Sequence, residues 1–94
     1  MRLRRGVHPV LTETAGALLD ERSGRWLQLT GTAAVALRLL LDHEERGPAI
    51  DGYACRFGVS REVAERDLAG VERTLGDGGL LHRPRQRWGR GWWR

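Results

Sequence analysis

The chain opens with β-type patterning and changes period a third of the way along. Residues 7–14, VHPVLTET, mix β-formers with Pro9, which has no amide proton, so this run suits an edge strand or a strand start. Residues 17–29, ALLDERSGRWLQL, hold two β-compatible runs around a polar turn, Asp20 to Gly24, with Gly24 available for a positive φ. This pattern predicts a β-hairpin. In its second run Leu27 and Leu29 share one face and Trp26 and Gln28 the other, so the Leu face is expected to meet the core. After Thr30-Gly31-Thr32 the period becomes helical. A helix over residues 33–42 is predicted, capped by Thr32 or Thr30. Its apolar residues, Ala33, Ala34, Val35, Leu37, Leu40 and Leu41, cover most of the circumference, which makes it central and buried. HEERGP reads as a loop, with Pro48 suited to the first turn of a helix over residues 49–57. Gly58 ends that helix. Ser60 caps a third, over residues 61–76, with Glu62 favourably placed in its first turn. Gly78-Gly79 stops it, and Leu80 and Leu81 return to the core.

Strand, hairpin and three helices make an α+β composition of winged helix-turn-helix type. Within it YACRFGVSREVAERDL, residues 53–68, reads as two helices joined at a Gly, and such units commonly place the second helix in the DNA major groove. The surface of the third helix tests that reading. On a wheel of 100° per residue from Val63, Val71, Ala64, Leu75 and Leu68 form a core stripe between about 80° and 140°. A shoulder of mostly short side chains, Gly70, Val63, Thr74 and Asp67, lies beside it at about −20° to 40°, bordered by Arg66 and Arg73. Glu62, Glu65 and Glu72 take the opposite side with Ala69. The helix is net negative, whereas base edges and phosphates call for donors and cations. Gly70 admits two readings: tight packing on a neighbouring helix, or a shallow channel between this helix and a strand.

Composition narrows the picture. The chain has 94 residues, enough for one modest core. Its longest apolar run, TAAVALRLLL, is broken by Arg38, so no membrane span is expected. MRLRR is followed by GVHPVLTET rather than an apolar stretch, which argues against a secretion signal and for a cytoplasmic protein. Cys55 is the single cysteine and, beside Ala54, is expected in the core. His8, His43 and His82 lie far apart in no recognisable motif. Neither a nucleophile elbow nor a phosphate loop is present, so no catalytic residues, cofactor or metal are expected. All 16 basic residues are Arg and Lys is absent, a pattern of codon bias more than of guanidinium chemistry. Position says more than total. Residues 6–82 carry 8 Arg against 12 acids, net −4, while Arg2, Arg4 and Arg5 open the chain and Arg83, Arg85, Arg87, Arg90 and Arg94 close it.

At LLDERSGRWLQLTGTAAVALRLLLD, and again at VAERDLAGVERTLGDGGLL, the sequence resembles the PqqD-like family, small proteins that recognise ribosomally synthesised precursor peptides. The shared features are Leu18-Leu19-Asp20, Gly24, the strand Arg25-Trp26-Leu27-Gln28-Leu29, Leu39-Leu40-Leu41, Asp67-Leu68 and Gly79-Leu80-Leu81. The branch it most resembles is the stand-alone recognition subunit of lasso-peptide biosynthesis. Thr30 stands where that pattern has Asn, and residues 83–94 fall outside it.

The resemblance implies a winged helix-turn-helix-like fold, α+β, with a three-stranded antiparallel sheet followed by three helices. Its third strand offers a free edge to which a leader peptide adds as a further strand, beside the third helix. Strand addition satisfies unpaired backbone groups while side-chain pockets give specificity. On that basis Arg25, Trp26, Leu27, Gln28 and Leu29 supply the docking strand. Asp67, Gly70, Val71 and Thr74 line the opposite wall, and Arg66 and Arg73 attract acidic leader residues. Some have a plainer reading: Val71, Leu27 and Leu29 as core, the two Arg as solvated charges. The expected function is non-catalytic capture of a precursor leader and its delivery to a leader peptidase, with a cyclase acting later. The alternative is a winged-helix DNA binder using the third helix and the basic tail. The expected organisation is a basic N-terminal arm (1–6), a recognition domain (7–82) and an Arg/Trp-rich tail (83–94). That tail could contact a partner enzyme or be inert.

Overall fold

The computed structural model describes residues 1–82; the tail and the expectations attached to it lie outside the described residues. Three strands come first, β1 (Val7–Leu11), β2 (Ala15–Asp20) and β3 (Arg25–Thr30). Three helices follow, α1 (Thr32–Asp42), α2 (Arg46–Phe57) and α3 (Arg61–Asp77). The sheet is antiparallel in the order β1-β2-β3, so β1 and β3 are both edges. The architecture is the winged helix-turn-helix-like α+β fold that the pattern predicted.

Local chemistry accounts for most boundaries. Gly24 takes φ 72° in the hairpin, and the Asp20 side chain accepts from the Arg22 amide and the Ser23 hydroxyl to close the turn. Gly58 ends α2 in the left-handed region at φ 63°, a conformation costly for residues with a Cβ. Ser60 caps α3, its Oγ accepting from the Val63 amide at 3.1 Å. Pro48 is the third residue of α2, where a missing N–H costs no helical bond.

Three expectations fail. Neither Thr30 nor Thr32 caps α1: Thr30 stays in β3 opposite Ala15, Thr32 is already helical, and Gly31 is the cap, with φ 59° and no side-chain hydrogen bond. The loop before α2 is shorter than expected, because Arg46 and Gly47 join that helix and Arg46 pairs with Glu72 of α3 at 3.2 Å. Cys55 is exposed, since α2 turns Ala49, Ile50 and Tyr53 inward and position 55 falls on the other side.

The core has two parts that meet at α1. Ala36, Leu40, Ala49, Ile50, Tyr53, Ala64 and Leu68 fill the space among the helices. Val7, Leu18, Leu37, Leu75 and Leu80 join the sheet to α1 and α3. Adjacent helical positions 36 and 37 thus serve opposite sides, which is why α1 had to be apolar around most of its circumference. The N-terminal segment runs against the return after α3. Leu3 bridges Leu81, the Arg4 amide donates to the Leu80 carbonyl at 2.8 Å, and the His82 amide donates to the Arg2 carbonyl at 2.9 Å. Arg4 also pairs with Asp20 at 2.9 Å and donates to the Gly79 carbonyl at 2.8 Å. This ties the hairpin to the end of α3. The Arg4 guanidinium holds the Asp20 carboxyl below its ordinary value, burial opposing it.

Candidate functional site

The edge of β3 follows from the register. The Glu21 amide donates to the Gly6 carbonyl and the Thr12 amide to the Ala15 carbonyl, so odd-numbered residues of β2 bond toward β1. The Gly31 amide donates to the Thr14 carbonyl directly opposite it, so even-numbered positions of β2 bond toward β3. By the period of two, Arg25, Leu27 and Leu29 spend their backbone groups on β2. Trp26, Gln28 and Thr30 direct theirs outward. Among the described residues they form an unpaired edge, whereas the other edge is blunted by Pro9 in β1. Side chains alternate too. Leu27 and Leu29 are half-buried and pack on the core, and Trp26 and Gln28 are exposed, Trp26 by 57%.

Beside this edge lies α3. Between them and α1 is a cavity of about 340 Å³, lined by Leu29 of β3, Thr32, Ala33 and Ala36 of α1, Tyr53 of α2, and Arg66, Asp67, Gly70, Val71, Thr74 and Leu75 of α3. A second, of about 300 Å³, continues toward the hairpin and is lined by Arg25, Trp26, Leu27, Thr74, Gly78 and Leu80 with Asp20 and Ser23. Thr74 lines both, so they are successive parts of one trough. Its β3 wall spans about 13 Å, from four residues at roughly 3.3 Å each.

Gly70 shows why the trough is open. A Cβ built there meets no other element of the described residues within 4 Å, so packing against a neighbouring helix does not explain this glycine. The Thr74 hydroxyl donates to the Gly70 carbonyl at 3.1 Å and is thereby folded against its own helix. Val71 belongs to both readings, half-buried against the two core clusters and also in the trough wall. Of the residues singled out in the sequence, Gln28 stands on the open edge and Arg73 is exposed outside the lining. The other nine line the trough.

Sequence reasoning missed several lining residues, Tyr53, Thr32 and Ala33 among them. Tyr53 is 2% exposed, and its hydroxyl donates to Asp67 Oδ2 at 2.8 Å. Burial first, then the Asp67 carboxylate, pushes this phenol above its ordinary value, against a smaller effect from Thr32. No signal within α2 marks Tyr53 as a trough residue, because the helix that meets it is fourteen positions away.

The outward face of α3 carries exposed Glu62 and Glu65, and Arg61 is engaged by Asp51. A recognition helix would set those carboxylates against phosphate. The geometry defines a class: a winged helix-turn-helix-like scaffold with a trough between the edge of β3 and α3, and exposed carboxylates on the outward face of α3. The chain belongs to the family of coenzyme PQQ synthesis protein D (PqqD), whose profile matches residues 16–81. Two solved structures are similar to it. The structure of TbiB1 in complex with the TbiA(beta) leader peptide shares its fold, with a TM-score of 0.78 and 22% identity, over 92% of this chain and 100% of that one. The structure of a lasso peptide synthetase B1 complexed with the leader peptide has a TM-score of 0.72 and 34% identity, over 84% of this chain and 93% of that one. No curated protein matches the chain.

Proposed function

We propose that this protein binds the leader of a ribosomally synthesised precursor peptide, that of a lasso peptide, and hands it to a separate maturation peptidase, with a cyclase acting later. The leader adds as a fourth strand to the edge of β3. The observation that carries this reading is the edge at Trp26, Gln28 and Thr30, unpaired among the described residues, beside a trough that α3 leaves open at Gly70. The leader-bound relatives support it. The protein acts in the cytoplasm as a binding subunit and performs no chemistry itself.

The energetics are reasonable. Three outward residues offer three donors and three acceptors, and at about 1 kcal/mol net per bond they supply about 6 kcal/mol. A micromolar complex needs about 8 kcal/mol. The remainder, and the cost of ordering the peptide, must come from side chains entering the apolar trough between Leu29, Ala33, Val71 and Leu75. Affinity and specificity therefore divide, the edge giving the first and the trough the second.

Fluorescence anisotropy tests this with two labelled probes at low and moderate salt. One is the leader of a short precursor encoded beside this gene and the other a random DNA duplex. Saturable leader binding with weak salt dependence, and weak DNA binding, is the expected result. DNA binding that collapses with salt, and no response to leader, would make the helix-turn-helix a DNA reader after all.

A further inference from the structure

The wall of the trough mixes apolar and polar groups, and one carboxylate stands in it among Leu, Ala and Val side chains. Asp67 lines the cavity together with Leu29, Ala33, Ala36, Val71 and Leu75. It is not balanced by its neighbour: Arg66 lines the same cavity, and the two form no ion pair. Asp67 is held from beneath, because the buried Tyr53 hydroxyl donates to its Oδ2 at 2.8 Å. That bond holds one oxygen of the carboxylate in place. It leaves Oδ1 with no partner among the described residues, and Asp67 itself is exposed. A carboxylate so placed is an acceptor with fixed geometry at the peptide-facing end of a buried donor.

Resting on the peptide-binding reading, we infer that Asp67 is a specificity-determining residue. Its open oxygen accepts a hydrogen bond from one side chain of the bound peptide that carries an O–H or N–H donor, and Tyr53 is the positioning residue that aims it. Strand addition through the backbone of Trp26, Gln28 and Thr30 is indifferent to sequence and can slip by two residues. The one carboxylate on this wall sets the register, because a slipped peptide would place an apolar side chain against it. A site built to hydrogen-bond a donor discriminates strongly against a ligand lacking it.

The test is a double-mutant cycle read by anisotropy with the adjacent-gene leader as the probe. An alanine scan of the leader is measured against wild-type protein, Asp67→Ala, Tyr53→Phe and the double variant Tyr53→Phe/Asp67→Ala. The double variant removes both ends of the buried hydrogen bond, so it stays folded even if Asp67→Ala alone strands the Tyr53 hydroxyl. The expected result is a loss of tenfold or more in affinity for Asp67→Ala and for the double variant. One donor-bearing leader position should show the same loss against wild type and little further loss against Asp67→Ala. Tyr53→Phe should give a smaller loss at that same position. Steep salt dependence of this coupling would identify the donor as a cation, and weak dependence as a hydroxyl. A folded double variant that binds every leader peptide as wild type does would overturn the inference and leave strand addition standing. Absence of leader binding by the wild type would overturn both.

Discussion

Consider Gly70 replaced by Ala and, separately, by Trp. Gly70 is an interior residue of α3, far from either cap. A glycine there costs about 1 kcal/mol relative to alanine. The added methyl meets no other element of the described residues within 4 Å, so no steric penalty offsets the gain in helix propensity. Gly70→Ala should therefore stabilise the protein by about 1 kcal/mol and raise its melting temperature by about 4–8 °C, the shift usual for a domain of this size. The same open space is where the docked strand should lie. Alanine narrows it slightly and tryptophan fills it. An intrusion into a packed contact typically costs about 1–3 kcal/mol, so Gly70→Trp should weaken leader binding by roughly 5- to 150-fold. Thermal unfolding followed by circular dichroism gives the first quantity and anisotropy the second. Stability rising while binding falls would show a glycine kept for function at the expense of the fold. A destabilised Gly70→Ala variant would mean the position is crowded after all. A folded Gly70→Trp variant with unchanged affinity would remove the trough from the mechanism.

Further expectations concern the edge, the caps and the charges. Gln28→Pro deletes an outward-facing amide and leaves the β2–β3 ladder intact, so binding should fall about tenfold while circular dichroism is unchanged; Leu27→Pro, which breaks the ladder, should unfold the hairpin. Ser60→Ala removes the cap bond to Val63 and should lower stability by about 1 kcal/mol, measured by urea unfolding. The carboxyl of Asp20 is held below its ordinary value by Arg4, so its contribution is present above the unfolded carboxyl pKa of about 3.9 and is lost as pH falls through the folded value. Melting temperature against pH should thus drop on the acid side, and Asp20→Asn should flatten that drop. Cys55 should react with a maleimide in the native protein, giving one mass addition without unfolding.

Much of this protein was legible along its chain because the relevant interactions are local. The alternation of Trp26, Leu27, Gln28 and Leu29 set the two faces of β3, and the chemistry of Gly58 and Ser60 set the ends of α2 and α3. Those signals act over two to four residues, the range within which side chains of one element share a face or reach a cap. The wheel of α3 likewise placed Asp67, Gly70 and Thr74 on one shoulder before any partner was known. What lay across from that shoulder was not legible. β3 is an edge only because β1 pairs with the far side of β2, and Gly70 faces open space only because no other element of the described residues packs on it. Thr30 and Thr32 are both plausible caps by composition, and the demand that Thr30 remain opposite Ala15 decided for Gly31. Cys55 and Tyr53 sit two positions apart on opposite sides of α2, and the docking of α2 against α1 and α3 decides which side is buried. Local periodicity determines which residues share a face. The packing of elements far apart in sequence determines whether that face meets core, water or an open trough.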